Sequence, residues 1–591
     1  MNATRPATPG HPMVPLALLG AYTAISALLW LACGLGGLLA GTGWTGGTPI
    51  TAVVDLALGT ATWPGAYGWI ALVAIVLVLA TPAVLVVLKI ARRRRAKTRV
   101  DDSTQHLAKP SEYAAYSPEG IKESAQRLRR GGIDPDNPDE HGVLIGEALP
   151  SHVPFRASWE DVSVFVAGPR TGKTTSWVVP AIVNAPGPVV ATSNKRDIHD
   201  HTRGVREQVG TCYVFDPQSI AKVEPSWWYN PLRAVTGPRK ASELTAHFAA
   251  ATTAPDASKD SYFDTEGENL CAYFFLAAAR SGKPITQAYE WITDHRAARQ
   301  ALDCLRPEDR LIAGKLRKLI ELPEKQREGV FGSALKLLQC LEEPSVLRWV
   351  TPPPDDEDRP EFAPEEFVNS THTLYLLSRE GVGSAGPLTA ALTFDIMEAG
   401  RERAADLPGG RLDPPILYIL DEAANVVRIR ELPNLYSHFG SAGQNVLTIV
   451  QSWEQMVEAW GRSGAQKLWD ASNVRVYGGG NADADFLEKV SKLVGPMDEV
   501  VWSTTYDRHG GGSRSSSVRT KQILDVADLQ ALPRGRALAL ASGSPAVMLQ
   551  PVPWMSSPWA DKVRASLETY EPTGRTEPAA DDDDDEQQGA A

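Results

Sequence analysis

Hydrophobic and polar positions divide the chain sharply near residue 90. Before it, residues 15–40 and 67–88 are almost unbroken apolar runs, and the only formally charged side chains between Met1 and Leu88 are Arg5 and Asp55. Neither run has the 3.6-residue rhythm of a half-buried helix. Each therefore predicts a helix apolar on all sides, long enough to cross a hydrocarbon layer of about 30 Å. A cleaved leader would be shorter and would leave the second run unexplained. From Gly142 the pattern changes to short apolar runs alternating with amphipathic stretches. VSVFVAG (162–168), PVVAT (188–192), TCYVFD (211–216), HTLYLLS (372–378), PILYILDE (415–422), VLTIVQS (446–452) and VRVYGGG (474–480) read as fully buried strands. Such strands separated by helices predict an α/β core with a parallel-type sheet covered on both faces. Residues 236–350 contain no strand-like run and predict an all-α insertion.

Charge changes the picture at both ends. ARRRRAKTR (91–99) places six basic residues directly after the second run. Positive residues stay on the cytoplasmic side, so the N-terminus and everything from about residue 90 onward are expected in the cytoplasm, with 41–66 outside. This predicts a multi-pass protein of the cell membrane, with the lipid bilayer as one partner. The stretch TEPAADDDDDEQQGAA (576–591) predicts a disordered acidic tail. A formal net charge of −12 excludes a generally basic nucleic-acid coat but leaves room for a local basic channel. The five cysteines at 33, 212, 271, 304 and 340 are far apart, without C-x-x-C or a Cys/His cluster. That excludes a disulfide framework and a structural zinc site.

The candidate chemistry sits at strand ends. AGPRTGKTTS (167–176) follows a predicted strand, and a glycine-rich strand-to-helix turn directs backbone N–H groups at phosphate oxygens. Ala167, Gly168, Pro169, Arg170, Thr171, Gly172, Lys173, Thr174 and Thr175 are the candidate ATP-binding residues. Lys173 would reach the β- and γ-phosphates, and the Thr174 hydroxyl would bind Mg²⁺. Gly168 and Gly172 have three residues between them, not four, so either Ala167 fills the first position or the loop is one residue shorter. PPILYILDEAAN (414–425) is an apolar strand ending in two acids. Asp421 can hold Mg²⁺, and Glu422 can polarise an attacking water. Gln451, ending VLTIVQ, is placed to sense the γ-phosphate.

Together with these motifs, the lysine of SNK (193–195), VFDP (214–217), YNPL (229–232), ASNVRVYGGGNADADFLEKVSKLVG (471–495) and LPRGRALALASGSP (532–545) carry a resemblance. The chain resembles the type IV secretion coupling proteins of the TraG/TraD class from its apolar runs to about residue 555. The resemblance implies a RecA-like P-loop ATPase domain and a homo-hexamer that translocates DNA. It implies as partners a relaxase bound to DNA and the type IV secretion channel. It gives Lys173, Thr174, Asp421, Glu422 and Gln451 the roles above, with Lys173, Glu422 and Gln451 catalytic. Relatives often carry a finger arginine before the glutamine strand. Here that stretch reads GSAGQN (440–445), leaving Arg379, Arg428, Arg430 or none. The expected domains are a membrane anchor (1–100), a linker (101–150), the ATPase domain (151–235 and 351–560), the all-α insertion (236–350) and the acidic tail (561–591). The alternatives are a coupling ATPase for protein substrates, an FtsK-like DNA pump, or a catalytically silent membrane scaffold.

Overall fold

Glycine lets two apolar helices touch backbone to backbone in the first of the chain's two units, Met1–Lys97. A Cβ on Gly36 of the helix Met13–Leu39 would stand 2.7 Å from the Cα of Gly68 in the helix Gly65–Arg93. Small residues allow such close approach where helices pack without a hydrophobic drive. Large apolar side chains, among them Ile25, Leu38, Ile70 and Leu77, remain exposed on both helices. Among the described residues, one helix, through its window Tyr22–Leu39, is long and apolar enough to cross a membrane. The apolar part described in the second helix, Gly65–Val78, is shorter. The expected pair of spans is therefore supported for the first run only.

The computed structural model describes residues 13–44, 47–93, 98–252, 262–352, 358–381, 383–506 and 512–572. Residues 94–97 of the arginine run and the acidic stretch 573–591 lie outside them.

Thr98–Ala591 forms the second unit. Its strands are β1 (Val143–Ala148), β2 (Val153–Ala157), β3 (Ser163–Val166), β4 (Val189–Ser193), β5 (Cys212–Phe215), β6 (Thr373–Leu377), β7 (Ile416–Leu420), β8 (Gln444–Val450), β9 (Val474–Tyr477), β10 (Pro496–Tyr506), β11 (Gly512–Gln522), β12 (Ala537–Ala541) and β13 (Val547–Gln550). Eleven of them form one sheet in the order β2-β1-β13-β12-β9-β3-β8-β7-β4-β6-β5. Every residue of β3, β4, β6, β7 and β8 is buried, as expected of strands covered on both faces. The sheet is mixed, which corrects the parallel-type expectation. The run from β9 to β5 is parallel, but β9–β12, β12–β13, β13–β1 and β1–β2 pair antiparallel. The connections β1–β2 and β12–β13 are too short for a parallel crossover, so these strands return as hairpins. β10 and β11 form a separate hairpin.

Between Pro238 and Val350 the described elements are helices. They share an apolar interior that includes Phe274, Trp291 and Leu316. Two expectations need correction. Residues 101–142 are not a loose connection: Tyr113, Tyr116, Ile121 and Ala125 are buried, and Tyr116 stacks on Phe155 of β2 at 4.9 Å. Their polar neighbours mask these well-spaced apolar anchors in the sequence. Part of the stretch expected as a disordered tail, 561–591, is a helix, Ala560–Tyr570, that buries Ala560, Val563 and Ser566, and 573–591 lies outside the described residues. A further helix, Trp453–Ala471, is broken at Gly461, whose φ of 70° and ψ of 163° are open essentially to glycine alone.

Candidate functional site

Four adjacent strands, β3, β8, β7 and β4, deliver their carboxyl ends to one place. In doubly wound sheets ligands settle in that crevice. A cavity of about 430 Å³ opens there. Its lining includes Pro169–Thr175 after β3, Gln451 after β8, Asp421 and Glu422 after β7, and Ser193–Lys195 with Asp197 after β4. The structure thus brings together most of the residues singled out in the sequence.

The phosphate-type loop is shaped by close backbone contact. Ala167 continues the strand, its N–H donating to Val450 O at 3.0 Å, so the turn proper begins at Gly168. Ala167 and Gly168 lie behind the cavity and do not line it. Gly168 N–H donates to Gly479 O at 2.8 Å, and a Cβ on Gly168 would meet Gly480 O at 2.3 Å. Gly172 has φ of +89°, a left-handed geometry that glycine adopts without penalty. Thr171 Oγ1 donates to Gly168 O, and Thr175 Oγ1 to Gly172 O, tying the loop to itself. Thr174–Val178 then winds as a π-helical turn into the helix Val179–Val183. Pro180 has no N–H to give the preceding turn, and its ring crowds the carbonyl four residues back, which accounts for the widening. We expect Gly168→Ala to lower stability by about 1–3 kcal/mol through this backbone clash, read as a drop in the denaturation midpoint.

Inside the cavity the charged groups are close and poorly solvated. Lys173 Nζ donates to Ala167 O at 3.0 Å and lies 4.0 Å from Glu422 Oε1. Burial lowers its pKa, and the neighbouring Glu422 and Asp421 carboxylates oppose that shift. Asp421 is pushed up to about 7, first by burial and then by the charge of Glu422. Its Oδ1 is buried without a hydrogen bond. Thr192 Oγ1 of β4 donates to Asp421 O at 2.9 Å and fixes the end of β7. Glu422 stands in the left-handed region, φ 53° and ψ 39°, a strained place for a glutamate. There its two carboxylate oxygens accept from Gln451 Nε2 at 2.7 and 2.8 Å. Gln451 N–H in turn donates to Gln455 Oε1 at 3.0 Å, in the first turn of the Trp453–Ala471 helix.

A divalent cation fits this donor set. Among the described residues no group of three or more His, Cys, Asp or Glu side chains gathers. Mg²⁺ characteristically takes one or two protein ligands together with phosphate oxygens and water. Asp421, with its unbonded oxygen, and Thr174 line the same cavity and provide that minimum.

Three predicted residues stay apart. Arg379 and Arg430 are exposed and Arg428 is half-buried, its Nε donating to Ala424 O. None of the three lines this cavity; Arg170 is the arginine that does. The sequence reading passed over Asn194 and Asp197, although both flank the lysine of SNK.

Residues 415–534, which contain Asp421, Glu422 and Gln451, match the family model described as the TraM recognition site of TraD and TraG. The chain is TraG/TraD-like in that stretch. No curated protein matches. Among solved structures, the bacterial conjugative coupling protein TrwBdeltaN70, unbound monoclinic form, is 16% identical. That likeness covers 69% of this chain and 88% of that one, with a TM-score of 0.46. Plasmid coupling protein TrwB in complex with ADP and Mg²⁺ is 14% identical over 69% and 89%, with a TM-score of 0.45. VirB4 of Thermoanaerobacter pseudethanolicus is 11% identical over 73% and 99%, with a TM-score of 0.36. Structural likeness at that level carries no argument about what this chain binds.

Proposed function

We propose that the chain is a membrane-anchored ATPase of the type IV secretion coupling type, which presents a relaxase–DNA substrate to the transfer channel and drives DNA through it. The observation that supports the reading is the convergence of four strand ends on one cavity holding a glycine-rich loop, a largely covered lysine and two acids. In this reading the loop amides and Lys173 hold the nucleotide phosphates. Asp421 and Thr174 hold Mg²⁺, which when bound neutralises charge on the phosphate oxygens. Glu422 orients and polarises the attacking water, and Gln451 ties that carboxylate to the helix beyond it. The match to a TraM recognition site favours a partner from the DNA-processing complex. In a homo-hexamer, Arg379, Arg428 or Arg430 would serve a neighbour's site.

ATP turnover by the full-length protein, measured with and without single-stranded DNA, tests the reading. We expect basal turnover that rises with DNA, with the rise weakening in salt as phosphate contacts are screened. Absence of turnover under both conditions would leave only the silent scaffold.

Asp421 adds a pH dependence. An ordinary aspartate titrates near about 3.9, whereas this one is held up to about 7. With the site empty, its contribution to stability is therefore lost as pH rises from about 4 to about 7. Binding Mg²⁺ requires the ionised form. Apparent Mg²⁺ affinity in the presence of nucleotide should fall about tenfold per pH unit below 7 and level off above it. Calorimetry at pH 6 and pH 8 checks this through the affinity and through proton release at the lower pH. Asp421→Asn should abolish both effects.

A further inference from the structure

The helices that follow β8 and β9, Trp453–Ala471 and Ala484–Val494, enclose another cavity, of about 560 Å³. Arg462 and Gln466, four residues apart and so on one helix face, line it with Ser463 just beyond the break at Gly461. Lys489 and Asp485 line it from the second helix. The floor is aromatic. Trp453 and Phe486 are buried and stack at 5.2 Å with 14° between their planes.

Two cations therefore stand against one carboxylate, a local positive excess on a chain whose formal net charge is −12. Neither Arg462 nor Lys489 has an ion-pair partner among the described residues. Lys489 Nζ donates to Gln466 Oε1 at 2.6 Å and lies 4.6 Å from the Trp453 ring centre and 5.7 Å from that of Trp469. Ring faces attract an ammonium but supply no counter-charge. Burial lowers the Lys489 pKa, and the Asp470 carboxylate opposes that shift. Asp470 is linked to Lys489 through Gln466, whose Nε2 donates to Asp470 Oδ2 at 2.6 Å. A cation preset in this way, partly desolvated and without a carboxylate, gains from an added anion.

We propose that this cavity binds a phosphate of single-stranded DNA, held by Arg462 and Lys489 with the Ser463 hydroxyl as a further donor. The inference deepens the coupling-ATPase reading and rests on it. Buried Trp453 and Phe486 leave little ring face for a base to stack on, so recognition is through the backbone and carries no sequence preference. A single strand can bend a phosphate into a concave site, whereas duplex DNA is stiff over about 150 base pairs. Asp485 lines the same cavity and weakens the contact. Trp453, on which Lys489 rests, begins its helix two residues after Gln451. Phosphate bound at Lys489 thus has a short route to Glu422, the carboxylate that Gln451 holds.

The test uses full-length protein in detergent and a fluorescent oligothymidylate of about 20 nucleotides in about 50 mM salt. The Arg462→Gln, Lys489→Gln double variant should bind it about tenfold more weakly. Its plot of log affinity against log salt should be shallower by about 1.4, or about 0.7 for each lost phosphate contact. An oligoadenylate should show the same loss. Asp485→Asn should bind both about twofold more tightly, a gain that damage to the fold would not produce. Basal ATP turnover should be unchanged in the double variant, while its rise with oligothymidylate is lost. Equal binding by parent and double variant, or no gain from Asp485→Asn, overturns the inference and leaves the coupling reading standing. Loss of basal turnover in the double variant also overturns it, because the two cations would then serve a nucleotide. If the parent neither binds the oligonucleotide nor responds to it, the coupling reading fails and the inference with it.

Discussion

Lys173→Ala protein should remain folded and membrane-inserted and lose ATP turnover by at least about 10²-fold, the usual effect of removing one preorganised group from a site of developing charge. Lys173 is the only lysine of the loop, and its ammonium is held by Ala167 O and faces Glu422. In the proposed reading the substitution removes the loop lysine assigned to the nucleotide phosphates. It also leaves Asp421 and Glu422 without their neutralising partner, so Mg²⁺-free protein should lose some stability at neutral pH. The fold is not at risk, because the side chain is not part of the apolar core and the loop is tied by Gly168, Thr171 and Thr175. Cells carrying the variant should not transfer DNA. Wild-type turnover by the purified variant would remove Lys173 from the chemistry.

Glu422→Gln should separate binding from hydrolysis. The glutamine keeps the length of the side chain and can accept from Gln451 Nε2 through its remaining oxygen, so the left-handed backbone and the contact to β8 survive. Asp421 and Thr174 are untouched. In the proposed reading the variant loses the negative charge assigned to polarising water, and turnover should fall by at least about 10²-fold with nucleotide affinity preserved. Removing a carboxylate beside Asp421 also takes away the second cause of its raised pKa, so the pH at which Mg²⁺ binding levels off should move below 7. Single-turnover kinetics with a parallel binding titration measure both. Unchanged turnover moves the base elsewhere in the cavity, where Asp197 is the next acid.

Much of this site was legible in the sequence because its parts lie within a few residues of strongly apolar strands. The GKT turn follows β3, the acidic pair ends β7, and Gln451 ends β8. What escaped the reading depends on distant partners. Gly168 needs glycine because of Gly480, more than three hundred residues away in the chain. Nothing near Glu422 announces its left-handed backbone, and the unbonded Asp421 oxygen exists only once four strand ends close around it. The antiparallel half of the sheet was missed for a different reason. β12, written ALALA, lacks the β-branched residues that mark a strand, and its identity comes from burial between β9 and β13. The helix at 560–570 was absorbed into the acidic region because its few apolar contacts are thinly spaced among charged residues.

Gly461 sets the reach of any movement that starts at the glutamine. The Trp453–Ala471 helix begins two residues after Gln451. An unbroken helix of nineteen residues would act as a rigid rod of about 28 Å, carrying a tilt at its first turn to the far end. The break leaves a leading piece of about 12 Å, from Trp453 to Trp460, joined to the rest at Gly461. Trp460 Nε1 donates to Ile429 O at 2.9 Å, so the short piece is latched to the chain just after the acidic pair. The leading piece is thus held to the chain after β7 while the second piece buries Leu468 and Trp469, so we expect a displacement at Gln451 to be taken up before Gly461.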